Sequence, residues 1–190
     1  SALLAHGLNA LGKTAVAVGN IGVPVTEAAT AQADYVVIEV SSYQAASLAA
    51  PCDIGVLTSL YPEHLDWHGS LAAYYRDKLN LLAHSETKII NYDTIATIDA
   101  QVDTLDESVL FNHPAGLHVR EGQIYDQDLL IGRLQNRHLA RTHNLVNVCA
   151  VLAVLQHLGF AAETALPLME DFHGLPHRQC ELGEKNGVLY

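Results

Sequence analysis

The stretch that decides the fold is Tyr35-Val36-Val37-Ile38-Glu39-Val40-Ser41-Ser42-Tyr43-Gln44. Its first six residues are apolar except Glu39, and most are β-branched. A near-continuous run of that kind reads as a strand buried on both faces of a parallel sheet, because a half-exposed strand would alternate. Ser41-Ser42 then offers hydroxyls to cap a helix over Tyr43 to Ala49. The same alternation continues outward. Upstream, Leu3, Leu4, Leu8 and Leu11 share a helical face that Gly12 closes. Thr14 to Val18 reads as a strand, Gly19-Asn20-Ile21-Gly22-Val23-Pro24 as a turn, and Val25 to Ala33 as a short helix. Downstream come a strand at Ile54 to Thr58, a helix over Ser70 to Leu82, a strand at Lys88 to Asn91 and an acidic helix to Ala100. The expected fold class is therefore α/β: a three-layer domain with a mainly parallel sheet flanked by helices.

The character changes after about residue 105. Val109 to Phe111, Leu117 to Arg120, Gln123 to Tyr125 and Leu129 to Ile131 read as short strands of a small antiparallel patch, with a hairpin turn at Glu121-Gly122. His143 to Leu158 predicts a long apolar helix and Glu163 to Phe172 a second one. Gly174-Leu175-Pro176-His177-Arg178 reads as a loop, and residues 179–190 as a hairpin turning at Asn186-Gly187. No internal repeat or linker divides residues 1–190, so the reading is one domain.

Composition narrows the function classes. The chain has 190 residues, 49% hydrophobic and 16% charged, which excludes a disordered or low-complexity chain. No apolar run approaches the ~18 residues of a membrane span. A formal charge of -11 repels phosphate backbones and argues against a general nucleic-acid binder. An anionic small ligand would need metal ions, helix N-termini or a few placed cations. Cys52, Cys149 and Cys180 form no CxxC pair and read as reduced, buried thiols of a cytoplasmic protein. The chain has no initiator Met, starts mid-pattern at Ser1 and ends in a strand-like run at Tyr190, which reads as a piece of a longer protein.

One motif misleads. Gly7-Leu8-Asn9-Ala10-Leu11-Gly12-Lys13-Thr14 fits the phosphate-loop pattern GxxxxGK[ST]. A working loop follows a strand and opens a helix. Here a helical stretch precedes the motif and a β-run follows, so the expectation is a helix ending at Gly12.

The residues that can carry chemistry follow the strands. Glu39 sits at the C-terminal end of an apolar strand, where ligand crevices of open α/β sheets lie, beside Ser41, Ser42 and Gln44. It reads either as a metal or ligand contact or as an ordinary strand-end acid. Glu63, His64, Asp66 and His68 follow the next strand as plausible metal ligands or as a solvated loop, and Gly69 argues against a helix through them. Lys78 lies among Tyr74, Tyr75, Leu81 and Leu82 on an apolar helix face. It either snorkels to solvent or carries a modification such as carbamylation, which turns the ammonium into an anionic metal ligand. Asn144 and Asn147 open the long helix, as nucleobase readers or as caps with His143. Arg178 reads as a phosphate or ribose contact, or as a surface residue with His177.

Taken together and in order, GNIGVP (19–24), VIEVSSYQ (37–44), SLYPEHLDWHGS (59–70), YYRDKLNLL (74–82), THNLVNVCAVLAVL (142–155) and GLPHR (174–178) resemble the Mur ligases. Glu-x-Ser-Ser-Tyr-Gln with GNIG upstream looks like the glutamate-adding branch. The D-glutamate member is the nearer pattern, and an L-glutamate-adding sister branch stays open. The resemblance implies the central, ATP-binding domain of a three-domain enzyme of peptidoglycan-precursor synthesis, cut off after its phosphate loop and before its C-terminal domain. It implies ATP and Mg2+ as cofactors, UDP-N-acetylmuramoyl-L-alanine and glutamate as substrates, a cytoplasmic monomer, and amide formation through an acyl phosphate. By motif position it implies two magnesium ions, Glu39 as a ligand of one and His64 with carbamylated Lys78 as ligands of the second, and Asn20, Ser41 and Gln44 on the substrate side. Asn144, Asn147 and Arg178 come on the nucleotide side. Arg141, where the family usually has Gly, and Tyr43, where Phe is frequent, depart from the pattern. A sibling amino-acid or folylpolyglutamate ligase and, in a different class, a metal-dependent hydrolase built on Glu39, His64 and Asp66 are the competing readings.

Overall fold

The computed structural model describes residues 1–28, 32–98 and 108–174, and the backbone of 184–185 and 188–189. Helix α1 (Ala2–Ala10) buries Leu3, Ala5 and Leu8. Leu11 caps it, and Gly12 with a φ of 79° turns the chain into β1 (Ala15–Gly19). The phosphate-loop look-alike is thus helix followed by strand, and Gly7 is a buried helix residue. Next come α2 (Val25–Ala28), β2 (Tyr35–Glu39), α3 (Ser42–Ala46) and β3 (Cys52–Leu57). A single turn α4 (Leu65–His68) and the longer α5 (Leu71–Ala83) lead to β4 (Ser85–Asn91). A 3-10 turn at Tyr92–Thr94, α6 (Ile95–Ile98) and β5 (Val109–Phe111) follow.

β1 and β2 pair in parallel, with Gly19 opposite Glu39. β3, β4 and β5 form a second parallel group. Ile89 and Ile90 of β4 are both fully buried but belong to different apolar clusters. Ile90 joins Tyr74, Leu79 and Leu82 of α5, whereas Ile89 joins the cluster of α1 and α7 (Thr142–His157). Successive strand residues point to opposite faces, so helices cover both faces and the three expected layers are present. Helix α7 is apolar on all sides over Val148 to Leu155 and buries nine residues, as a central helix must.

Several expectations are corrected. β2 is not buried on both faces as expected: Tyr35 and Val37 pack against the main core, but Val36 and Ile38, on the opposite face, are 43% and 44% exposed. Helix α3 stops at Ala46 rather than Ala49, and Asn80 of α5 takes up the Ala45 and Leu48 carbonyls as it ends. β5 joins the parallel group beside β4 instead of the antiparallel patch. That patch consists of β6 (Leu117–Arg120), β7 (Gln123–Asp126) and β8 (Leu129–Gly132). Its first turn is the expected one: Glu121 and Gly122 have φ of 52° and 73°, the pair of positive values that a tight hairpin demands. The helix expected over Glu163 to Phe172 is broken into α8 (Ala162–Ala165) and a 3-10 turn, Leu166–Met169, because Pro167 has no N–H to continue the ladder. β9 (Glu184–Lys185) and β10 (Val188–Leu189) pair antiparallel, while their turn at Asn186-Gly187 lies outside the described residues. So do residues 29–31, within the short helix expected to reach Ala33, and 99–107, where the acidic helix was expected to end; residues 32 and 33 are described and not helical.

Candidate functional site

Glu39 ends β2, half-buried, and its carbonyl accepts the Asn20 N–H at 2.9 Å. The two strand ends can lie this close because Gly19 has no side chain: a Cβ there would sit 2.4 Å from the Glu39 oxygen. Asn20, which is exposed, and Glu39 are therefore neighbours at the C-terminal edge of the β1–β2 pair. Two residues on, Ser41 begins a capping box that Gln44 closes at the N-terminus of α3. The Gln44 N–H donates to Ser41 Oγ at 3.3 Å, and the Ser41 N–H donates to Gln44 Oε1 at 2.9 Å. Both residues thus serve α3 first. Gln44 retains its amide NH2 for a ligand, since only its oxygen enters the box.

His64 is exposed, with a left-handed φ of 53°, and stands at the N-cap of α4. The expectation that Gly69 forbids a helix here is corrected: the turn Leu65–His68 forms first, and Gly69 ends it with a φ of 77°. Glu63 and Asp66 are exposed. His68 is not a solvated loop residue at all, because its side chain has no exposed surface. Lys78 is half-buried on α5. Its Nζ donates to Tyr74 Oη at 3.0 Å and lies 5.4 Å from the Tyr74 ring centroid. Tyr74 Oη in turn donates to the Tyr61 carbonyl. No carboxylate lies within ion-pair reach of Lys78 among the described residues.

Contacts link these groups into one cluster. Lys78 bonds Tyr74, whose ring meets His68 edge-on at 5.2 Å. His68 stacks on Tyr43 at 5.7 Å, and Tyr43 meets the His64 ring at 5.1 Å. Ser42, close to Glu39 in the chain, bonds His68 at 3.1 Å. Residues of β2–α3 and of α4–α5 therefore converge. Beside Lys78, Asp77 is held below its ordinary carboxylate range. Burial is the largest single influence and opposes its charge, but the hydrogen bonds and charges of His68 and Arg76 together outweigh it. Among the described residues no group of three or more His, Cys, Asp or Glu is arranged to hold a metal ion. The donors expected from the sequence are of a different kind: one carboxylate at Glu39, and one imidazole at His64 with one carbamate were Lys78 carbamylated. Magnesium is typically held by one or two carboxylates, with water and phosphate oxygens supplying the rest, so a sparse set of this type suits it.

The nucleotide-side residues stay apart from this cluster. Asn144 sits in the first turn of α7 and donates to the His138 carbonyl. Asn147, one turn on, is exposed. No hydrogen bond or ring contact among the described residues joins either to Glu39, His64 or Lys78. Neither caps the helix, whose N-cap is Arg141 with no side-chain bond. Arg178 lies outside the described residues. The sequence reading missed the roles of Asp77 and Asn91. Asn91 is 7% exposed. Its Nδ2 donates to the Thr58 carbonyl at 2.8 Å and its Oδ1 accepts from Asn112 at 3.1 Å, which pins the start of the segment leading to His64. A polar residue directly after the buried pair Ile89-Ile90 was its only signal.

Residues 1–155 match the family model described as the Mur ligase middle domain. A UDP-N-acetylmuramoyl-L-alanine–L-glutamate ligase of Xanthomonas oryzae is 39% identical over 196 residues, covering 100% of this chain and 42% of that protein. Proteins of the same name from Xylella fastidiosa and Micromonospora are 39% and 35% identical, again over the whole chain. The chain thus spans about two fifths of the length of these relatives. Among solved structures, the MurF ligase of Thermotoga maritima in complex with ADP superposes with a TM-score of 0.71 at 17% identity, covering 98% of this chain and 48% of that one. MurF from Acinetobacter baumannii gives 0.70 at 18%, over 98% and 46%. At such identities the structures speak to the fold alone.

Proposed function

The chain belongs to the Mur ligase family, matching its middle domain, and from that premise we propose that the full-length protein is an ATP-dependent ligase joining glutamate to UDP-N-acetylmuramoyl-L-alanine. The observation that carries this reading is the 39% identity, over the entire chain, to ligases named for that substrate pair. Their names specify L-glutamate, which favours the L over the D isomer as acceptor. The product is a peptidoglycan precursor, and we place the enzyme in the cytoplasm as a monomer. No helix among the described residues is long and apolar enough to cross a membrane.

The chemical problem is that a carboxylate is a poor acylating agent. Phosphorylating the substrate's alanyl carboxylate with ATP supplies a leaving group, and the glutamate amine then displaces phosphate through a tetrahedral intermediate. Magnesium, when bound, offsets the repulsion between the triphosphate and the anionic substrate, a need that a chain of charge -11 makes acute. In our reading Glu39 holds one magnesium, and His64 with Lys78 as its carbamate holds a second. Asn20 and the free amide of Gln44 line the substrate side beside them, with Ser41 holding Gln44 in place. Asn144, Asn147 and Arg178 serve the nucleotide. Residues 1–190 are then the central domain.

The test is phosphate release by the full-length protein from Mg-ATP and UDP-N-acetylmuramoyl-L-alanine, with L- or D-glutamate added and Lys78→Ala as control. Release that requires L-glutamate and falls at least about a hundredfold in the variant is expected, as for loss of a metal ligand. Release with D-glutamate only moves the acceptor to the other isomer. A folded protein releasing no phosphate with either refutes the ligase reading.

A further inference from the structure

Beneath the candidate site lies a buried polar chain that the proposed reaction does not use. The imidazole of His68 occupies both of its nitrogens. Nδ1 faces Asp77 Oδ2 at 2.8 Å, and Nε2 faces Ser42 Oγ at 3.1 Å. An ionised carboxylate only accepts, so Nδ1–H donates to Asp77. Ser42 is 9% exposed, and the Asp77 side chain 16%. Three rings enclose the imidazole: Trp67 at 4.5 Å, Tyr74 at 5.2 Å and Tyr43 at 5.7 Å. The order Ser, His, Asp is that of a nucleophile relay. A group with no exposed surface and both nitrogens bonded meets no substrate, so the chain is structural in chemistry.

Its position is what gives it a consequence. The site draws on two groups of strands that share no hydrogen bonds among the described residues: β1–β2 supplies Glu39, and α4 and α5, which follow β3, supply His64 and Lys78. The polar chain crosses between them, joining α3, which follows β2, to α4 and α5. Each of its members neighbours one proposed metal ligand: Ser42 follows Glu39 by three positions, Asp77 directly precedes Lys78, and His68 follows His64 by one helical turn. The His68 N–H also donates to the His64 carbonyl at 3.1 Å, which locks the two histidines within α4. Two bonds through one imidazole therefore tie together the three segments that carry Glu39, His64 and Lys78. Supports behind metal ligands typically tune metal affinity 10- to 100-fold.

We propose that His68, through Ser42 and Asp77, is a positioning residue that sets the relative placement of the divalent-cation ligands Glu39, on one ion, and His64 and Lys78, on the second. It rests on the reading above that those three residues hold the metal ions. The test uses the full-length protein with Mn2+ as the probe, free Mn2+ being counted by electron paramagnetic resonance without nucleotide or substrate. His68→Asn and Ser42→Ala are expected to weaken Mn2+ binding about tenfold, and Ser42→Thr, which keeps the hydroxyl, to restore it to within about threefold. The Mg2+ concentration for half-maximal phosphate release should rise in parallel, with the KM for glutamate unchanged. Glu39→Gln is the control for the underlying site. If it weakens Mn2+ binding while Ser42→Ala lowers only the melting temperature, the positioning role is overturned and the site stands. If Glu39→Gln and Lys78→Ala also leave Mn2+ binding unchanged, the metal site itself is overturned. Should His68→Asn fail to fold, Ser42→Ala and Ser42→Thr decide alone.

Discussion

Replacing Gly19 with alanine probes how closely the site's two strand ends are held. Two costs arise. Gly19 has a φ of 97°, a backbone setting that disfavours any L side chain by about 1–2 kcal/mol. The new methyl would also sit 2.4 Å from the Glu39 carbonyl oxygen and 3.2 Å from the Glu39 nitrogen and carbonyl carbon. The obstacle is backbone, so no rotamer change relieves it, and overpacking of this kind costs about 1–3 kcal/mol. Alanine's smaller unfolded-state entropy returns about 0.4–1 kcal/mol. The net loss is then about 2–4 kcal/mol, or about 5–15 °C in melting temperature for a domain of this size. Gly22→Ala is the internal control. Its φ of 94° is nearly the same, but a Cβ there meets nothing within 4 Å. Thermal and urea unfolding of both variants should therefore show a much smaller loss at Gly22. Phosphate release should fall further in Gly19→Ala than its stability alone explains, because parting the strand ends displaces Glu39 from Asn20. Equal losses for the two variants would refute the argument that close approach, rather than backbone preference, makes Gly19 necessary.

Asn80→Ala removes the amide that donates to the Ala45 and Leu48 carbonyls at 2.8 and 2.9 Å, and should cost about 1–3 kcal/mol in urea unfolding, with Asn80→Asp recovering little because a carboxylate cannot donate. Burial pushes the Cys149 thiol up from 9.0 to about 12, so the unfolded chain loses this proton while the fold still keeps it. The stability tied to the neutral thiol is complete below about pH 9 and declines between pH 9 and about 12, a fall that Cys149→Ala should reduce when chemical unfolding is followed against pH.

Much of the architecture was legible because local signals agreed. The apolar run before Ser41 predicts a strand and a cap, and both are present. Glu121-Gly122 predicts a hairpin because its backbone needs are strict. Lys78 was legible as unusual because it interrupts an apolar helix face. Burial of β2 was not legible, since it depends on what packs against Val36 and Ile38 and not on their own identity. The break at Pro167 was outweighed by apolar periodicity that in fact spans two short elements. His68 illustrates the deepest limit: its partners lie 26 positions before it and 9 after it, so no spacing rule links Ser42, His68 and Asp77. Only packing of α3 on α5 brings them together.

The exposure of β2 has a practical side. Tyr35 to Val40 is short, rich in β-branched residues, free of Pro and Gly, and carries a single charge at Glu39. On β2 its Val36 and Ile38 face outward, with an unpaired edge alongside among the described residues. Such a strand is a template for a second copy of itself. The 190-residue chain handled alone is thus expected to be soluble only at low concentration, and to clump through this strand before it unfolds. A lysine in place of Ile38, a position that is already 44% exposed, would act as a gatekeeper against that outcome.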